Sequence, residues 1–164
     1  MYTHLDCCTH IQFAEDLDIL HRPLFDVNIR LFKANFEYKK IVLACCSYID
    51  WLMRMKKEGY TKPKGWSGAN AGIPFNIIAT HKLGVLINPK VWNKREPIIV
   101  NSNCGSLTLQ NSIEVTRYKY IDLLYNDVTN GDRQQLLNYC GDDVFTIQHE
   151  VEHNLGILIS DNKY

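Results

Sequence analysis

Near the C-terminal end stands Gln148-His149-Glu150-Val151-Glu152-His153-Asn154-Leu155-Gly156. On a helix, positions i and i+4 share a face, so His149 and His153 aim two imidazoles at one point. Two such nitrogens suit a tetrahedral divalent metal ion. Glu150 follows the first of them and can reach a metal-bound water as general base. The spacing therefore favours a metal hydrolase over a surface helix carrying two incidental histidines.

A catalytic metal needs a third protein ligand and one open position. The residues after His153 include no Glu, and the place of a metzincin's third His is held by Ile159. Both protease layouts fail, so the donor is expected upstream. Cys140 would lie ~13 Å from His149 along a continuous helix, too far to share an ion. Cys104, in the polar stretch Asn101-Ser102-Asn103-Cys104-Gly105-Ser106, is better placed. A buried structural thiol is its plainer reading. His81, after a strand, is a further candidate and reads more simply as an exposed side chain.

Several elements must position these groups. Phe145, Ile147, Val151, Leu155 and Leu158 give the histidine helix apolar flanks, and Asp142 or Asp143 can cap its start. From Asn35 to Glu58, Ile41, Cys45, Tyr48, Leu52 and Met55 recur at helical spacing, with Val42, Ile49 and Met53 widening the stripe. Asn35 is the expected N-cap and Gly59 the C′ residue, with Lys56 and Lys57 in the last turn. This second helix reads as packing. Ile19 to Val27 is a loop-like lead-in, and residues 1–17, with Cys7, Cys8, His4 and His10, read as an irregular extension. Gly65 to Pro74 has too many small residues to fill a core, so its backbone is expected close against something else. Short strands follow at Asn76–Ala79, Val85–Ile87 and Pro97–Val100. Ile113–Tyr125 puts Ile121, Leu123 and Tyr125 on one face, and a turn through Asn130-Gly131 leads to Gln134–Asn138. The result is an α+β fold: antiparallel β-sheets around a central C-terminal metal helix, with one long N-terminal helix packed outside.

With 164 residues and no repeats, residues 1–164 are expected to form one domain. Basic and acidic side chains balance at 18 each, which gives no signal for nucleic acid. No apolar run approaches the ~20 residues that span a bilayer, and no secretory leader is visible. The adjacent pairs Cys7-Cys8 and Cys45-Cys46 do not form a disulfide framework, so a reducing cytoplasm is expected.

In their order, a small-residue loop, an upstream cysteine and Gln-His-Glu-x-x-His resemble the peptide deformylase family from about Ile19 to Ser160. The segment 148–156 resembles the motif Q-H-E-x-D-H-L-x-G, with Glu152 for Asp and Asn154-Leu155 in altered order. Gly65 to Pro74 resembles G-L-A-A-P-Q-I-G-I-P, matching at Gly65, Gly72, Ile73 and Pro74, with Asn70 in place of Gln. Of E-G-C-L-S only Cys104 and Ser106 remain; Ser102, Asn103 and Gly105 replace Glu, Gly and Leu. Arg117 corresponds to the arginine that pairs with that lost Glu, and is expected to stand without that partner.

The resemblance implies removal of the N-formyl group from the initiator methionine of nascent chains at the ribosome. Fe2+ is the usual metal of such enzymes, and Zn2+ or Ni2+ can replace it. The ligand set is then Cys104, His149 and His153. Glu150 moves the proton, and the Gly105 N–H and Asn70 amide face the oxyanion. The substrate adds as a strand at Gly65, and Val100 and Phe145 line the methionine pocket. The chain's short C-terminal part is similar to forms encoded by some bacteriophages. Three other readings remain: a deformylase-like binding protein without catalysis, an H-E-x-x-H metallopeptidase, and a structural zinc module using Cys104, Cys140, His149 and His153.

Overall fold

The computed structural model describes residues 20–55, 63–104 and 112–161. The expectations for residues 1–17, Lys56, Lys57, Gly59 and Gly105 fall outside this set.

Two capped helices open the described chain. In α1 (Ile29–Ala34) the Asn28 side chain accepts from the Leu31 N–H. In α2 (Phe36–Arg54) Asn35 accepts from the Tyr38 N–H, the N-cap role expected of it. α1 was not foreseen, because fewer than two turns leave no periodic stripe to read. α2 ends at Arg54 rather than Glu58; Met55 has already left helical geometry, at ψ 128°. Its buried face runs through Val42, Cys45, Cys46, Tyr48, Ile49, Leu52 and Met53, whereas Ile41 and Met55 are exposed. The stripe is thus centred one position further along the helix than the sequence pattern suggested.

Five strands follow in a meander: β1 (Gly65–Ser67), β2 (Ile77–Thr80), β3 (Gly84–Ser102), β4 (Ile113–Asn126) and β5 (Arg133–Tyr139). They form one antiparallel sheet in sequence order, with β1 and β5 at its edges. Val85–Ile87 and Pro97–Val100 prove to be parts of the single long strand β3. Register shifts between Ile87 and Lys90 and between Trp92 and Arg95 break its alternation. Asn88, Asn93 and Glu96 adopt positive φ along it, so only its ends show a strand pattern. Asn88 also staples the lead-in, accepting from the Val27 N–H at 2.7 Å and donating to the Val27 carbonyl at 2.9 Å.

The third helix, α3 (Val144–Asn154), carries the two histidines. Every residue of β2 is buried, because α2 and α3 cover opposite faces of it. Ile77, Ala79 and Ile87 pack with Ile49 and Met53 of α2. The alternate residues Ile78 and Leu86 pack with Val144, Ile147 and Val151 of α3, joined by Ile121 and Leu123 of β4. Each fully buried Ile or Leu contributes about 1.5–3 kcal/mol, so α3 is held by its apolar side while its other side is left for chemistry. A third cluster, Leu20, Ala69, Val115, Leu158 and Ile159, packs with Cys104. Gly156, at φ +76°, lets the chain turn out of α3 where a side chain would strike the His21 carbonyl. The expected α+β arrangement is the one observed. Among the described residues, no helix is long and apolar enough to cross a membrane.

Candidate metal centre and active site

The site is built on α3, and polar anchors set its rotation about its own axis. Gln148 shares the apolar face and is buried. Its Oε1 accepts from the Tyr118 N–H at 3.0 Å, and its Nε2 donates to the Tyr118 carbonyl at 2.8 Å. One carboxamide thereby completes the backbone pairing of β4 and fixes which way the next residue, His149, points. Asp143 occupies the N-cap position but makes no side-chain cap. Its carboxylate is engaged instead by Thr80 Oγ1 at 2.8 Å and the Tyr139 hydroxyl at 2.6 Å. The capping expectation for Asp143 is therefore corrected: the residue ties α3 to β2 and β5.

His153 Nε2 lies 3.1 Å from His149 Nε2 and 3.1 Å from Cys104 Sγ. The three donor atoms all fall within 4.8 Å of one another. Bonds of about 2.0–2.3 Å to a tetrahedral ion separate its ligands by roughly 3.3–3.6 Å, so these three are spaced to share one ion. Burial, then the His153 and Arg117 charges, holds His149 well below the ordinary imidazole range. Burial and Arg117 bring His153 down to about 4. Both rings are therefore neutral at pH 7, the form with a lone pair to offer. A buried thiol, a buried imidazole and a half-buried one, convergent, fit a first-row divalent metal.

Glu150 is buried on the same helix, and its Oε2 meets no hydrogen-bond partner among the described residues. Burial raises it to about 8, against the opposing pull of Arg117 and a hydrogen bond with Ser67. β1 leaves room for it: a Cβ on Gly65 would stand 2.9 Å from Glu150 Oε1 and 2.5 Å from Thr146 Cγ2. The close approach expected of the small-residue stretch is thus an approach to α3. Arg117 lacks the family's glutamate at position 102, as expected, but another carboxylate takes its place. Arg117 Nη1 donates to both oxygens of Glu152, at 2.9 and 2.8 Å. The carboxylate missing at Ser102 is supplied from α3.

The profile of the polypeptide deformylase family matches residues 51–163. The chain belongs to that family. A peptide deformylase of Buchnera aphidicola (subsp. Schizaphis graminum) is 29% identical over 157 residues, covering 88% of this chain and 85% of the relative. Two solved deformylases share the fold at 19% identity. The enzyme of a Vibrio parahaemolyticus bacteriophage, in complex with actinonin, superposes with a TM-score of 0.68 over 92% of this chain and all of its own. A class I type b enzyme of Acinetobacter baumannii, bound to Met-Ala-Ser, gives 0.70 over 89% of this chain and 92% of its own.

The remaining deformylase candidates are placed as follows. Asn70 is buried in the turn after β1; its N–H donates to Ser67 Oγ at 3.2 Å, and its Oδ1 has no partner among the described residues. Val100 packs on the cluster that holds Cys104 and Ala69, whereas Phe145 packs on the one beneath α3. Those two residues belong to different clusters. Cys140 is exposed in the link between β5 and α3. His81 Nε2 lies 2.8 Å from the Pro63 carbonyl. Neither belongs to the donor cluster, and the four-ligand zinc reading loses its fourth member. Sequence reasoning assigned no role to Gln148, Ser67 or Asn154. A signal was present for the first: Gln148 follows Val144 by four residues and precedes Val151 by three, a polar residue on an apolar stripe.

Proposed function

We propose that this chain is a metal-dependent amide hydrolase that releases formate from the N-formylmethionyl end of newly made polypeptides, and that residues 1–164 act as one domain. One observation carries the proposal: the donor atoms of Cys104, His149 and His153 converge within 4.8 Å of one another, with Glu150 buried on the same helix. Cys104, His149 and His153 would hold the ion, with Fe2+ as the native metal and Zn2+ or Ni2+ as substitutes. A bound ion supplies Lewis acidity that brings the pKa of a water toward ~7. Glu150 would accept the proton of the attacking water and deliver it to the departing amine. The Asn70 carboxamide and the Gly105 N–H would donate to the oxyanion as the formyl carbon becomes tetrahedral.

Among the described residues β1 is an edge strand, and an extended peptide would add along it at Gly65. Val100, beside the Cys104 cluster, is the better placed of the two candidates for the methionine pocket; Phe145 is the other. The site of action would be the bacterial cytoplasm, including that of an infected cell, on chains emerging from the ribosome. The test is turnover of formyl-Met-Ala-Ser after anaerobic Fe2+ loading, with an internal unformylated peptide as the control. Full metal content without formate release would favour a metal-holding peptide-binding protein. Cleavage of the control would favour a metallopeptidase.

A further inference from the structure

Asn154 follows His153 directly, at the place where the family motif has Leu, and only 2% of it is exposed. A carboxamide so deeply buried must have its polar atoms satisfied. Nδ2 donates to Asn76 Oδ1 at 3.0 Å and to the Ile77 carbonyl at 2.9 Å, and Oδ1 accepts from the Ala69 N–H at 3.3 Å. The orientation is dictated from outside. The Asp26 carboxylate, an acceptor only, takes Asn76 Nδ2 at 2.8 Å. That turns Asn76 Oδ1 toward Asn154, commits both Asn154 amide hydrogens and leaves its carbonyl oxygen facing Ala69.

Ala69 immediately precedes Asn70. The backbone on one side of Asn70 is thus tied to the metal helix, and its own N–H is tied to Ser67 Oγ. The Asn70 side chain is one methylene shorter than the Gln of the family stretch, so its reach depends on how close this backbone is held to α3. A leucine at 154 could not accept the Ala69 amide.

We propose that Asn154 is a positioning residue that holds the Ala69–Asn70 backbone against α3, so that the shorter carboxamide of Asn70 reaches the reacting carbonyl oxygen. Asn70 and Asn154 are then two halves of one compensated change. The inference rests on the deformylase reading of the site.

The test is a double-mutant cycle on metal-loaded protein with formyl-Met-Ala-Ser. Asn154→Leu should lower kcat by on the order of 10- to 100-fold, part or all of the effect of losing one oxyanion donor, with KM and metal content within a few-fold of the parent. In an Asn70→Ala background the same change should cost less than about threefold, because the residue it acts through is gone. Adding Asn70→Gln to Asn154→Leu, which restores the family pair, should recover most of the rate. Losses that multiply independently, or no recovery by Gln, would overturn the proposal. Amide exchange gives a second readout: the Ala69 N–H should exchange roughly five- to tenfold faster in Asn154→Leu, as for loss of one hydrogen bond. If the metal-loaded parent releases no formate, the deformylase reading fails, and exchange alone decides the clamp. Faster exchange then supports it, and unchanged exchange overturns it. Should Asn154→Leu not fold, Asn154→Ser keeps a hydroxyl near the Ile77 carbonyl but cannot reach Ala69, and the same expectations apply.

Discussion

Helices α2 and α3 lie on opposite faces of one strand and bury their inner faces with different chemistry. The buried side of α2 is almost wholly apolar, and its two cysteines are core atoms: burial, with Cys45 beside it, pushes the Cys46 thiol up to about 12. α3 buries Gln148, Glu150, His153 and Asn154 alongside Val144, Ile147 and Val151. Polar burial without a purpose is costly. On α3 three polar side chains are matched to outside partners: Gln148 to Tyr118, Glu152 to Arg117, and Asn154 to Ala69, Asn76 and Ile77. On α3 the buried side-chain atoms without a partner among the described residues are Glu150 Oε2 and the Nδ1 atoms of both histidines. α2 holds the sheet together, and α3 holds three atoms in place.

If that contrast is right, the largest effects come from the unmatched groups of α3. Glu150→Gln should keep the metal and the fold while lowering turnover by roughly 10²–10⁴-fold, the range for a positioned proton carrier. Metal analysis beside formyl-peptide kinetics checks it, and activity within a few-fold of the parent would exclude Glu150 from that role. Cys104→Ser should act on the ion instead. Its affinity should fall by more than roughly 10²-fold, beyond what losing a hydrogen-bonded neighbour of a ligand costs.

A matched group on α3 should behave differently. Glu152→Gln leaves the Arg117 guanidinium, 2% exposed, without its carboxylate. Removing one partner of a buried ion pair costs about 3–5 kcal/mol, so denaturant midpoints should fall markedly and metal affinity with them. On α2, Ile49→Ala opens a cavity in an apolar cluster and costs about 2–5 kcal/mol. Under conditions where it remains folded, its specific activity and metal content should match the parent. A change in kcat for Ile49→Ala, with no change for Glu152→Gln, would reverse the assignment of the two helices.

The parts of this design that were legible in the sequence are those written in local spacing. The i, i+4 histidines with their glutamate named α3, and the apolar residues recurring from Ile41 to Met55 named α2, although those two end residues prove exposed. Cys104 followed from ligand count and from its place after a strand. The invisible parts depend on tertiary pairing. Arg117 does lack the family's glutamate at 102, but the sequence did not show that Glu152 would replace it from a different element. Asp143 offered a cap by position, but Thr80 and Tyr139 claim its oxygens across the fold. The long strand β3 was hidden because residues at positive φ interrupt the alternation by which strands are recognised.

The smallest expected effect belongs to Cys140. Its distance along a continuous helix was the ground for leaving it out of the ligand set, and that ground no longer stands. α3 begins at Val144, so Cys140 is not part of the helix. Its exclusion rests on place and exposure instead. The Val144 N–H donates to the Gly141 carbonyl at 2.9 Å, which keeps the preceding loop at the N-terminal end of α3. From there His149 is ~7–8 Å further along the axis at 1.5 Å per residue. Cys140 is exposed, whereas Cys104 is 5% exposed and its sulfur lies 3.1 Å from His153. Cys140→Ser should therefore leave metal content, midpoint and turnover unchanged within error, as a surface substitution does. Sulfur-sensitive metal spectroscopy on the parent should show a single thiolate. If Cys140→Ser lost metal as Cys104→Ser does, the ion would have four protein ligands and no open position for water, and a structural zinc site would replace the hydrolase reading.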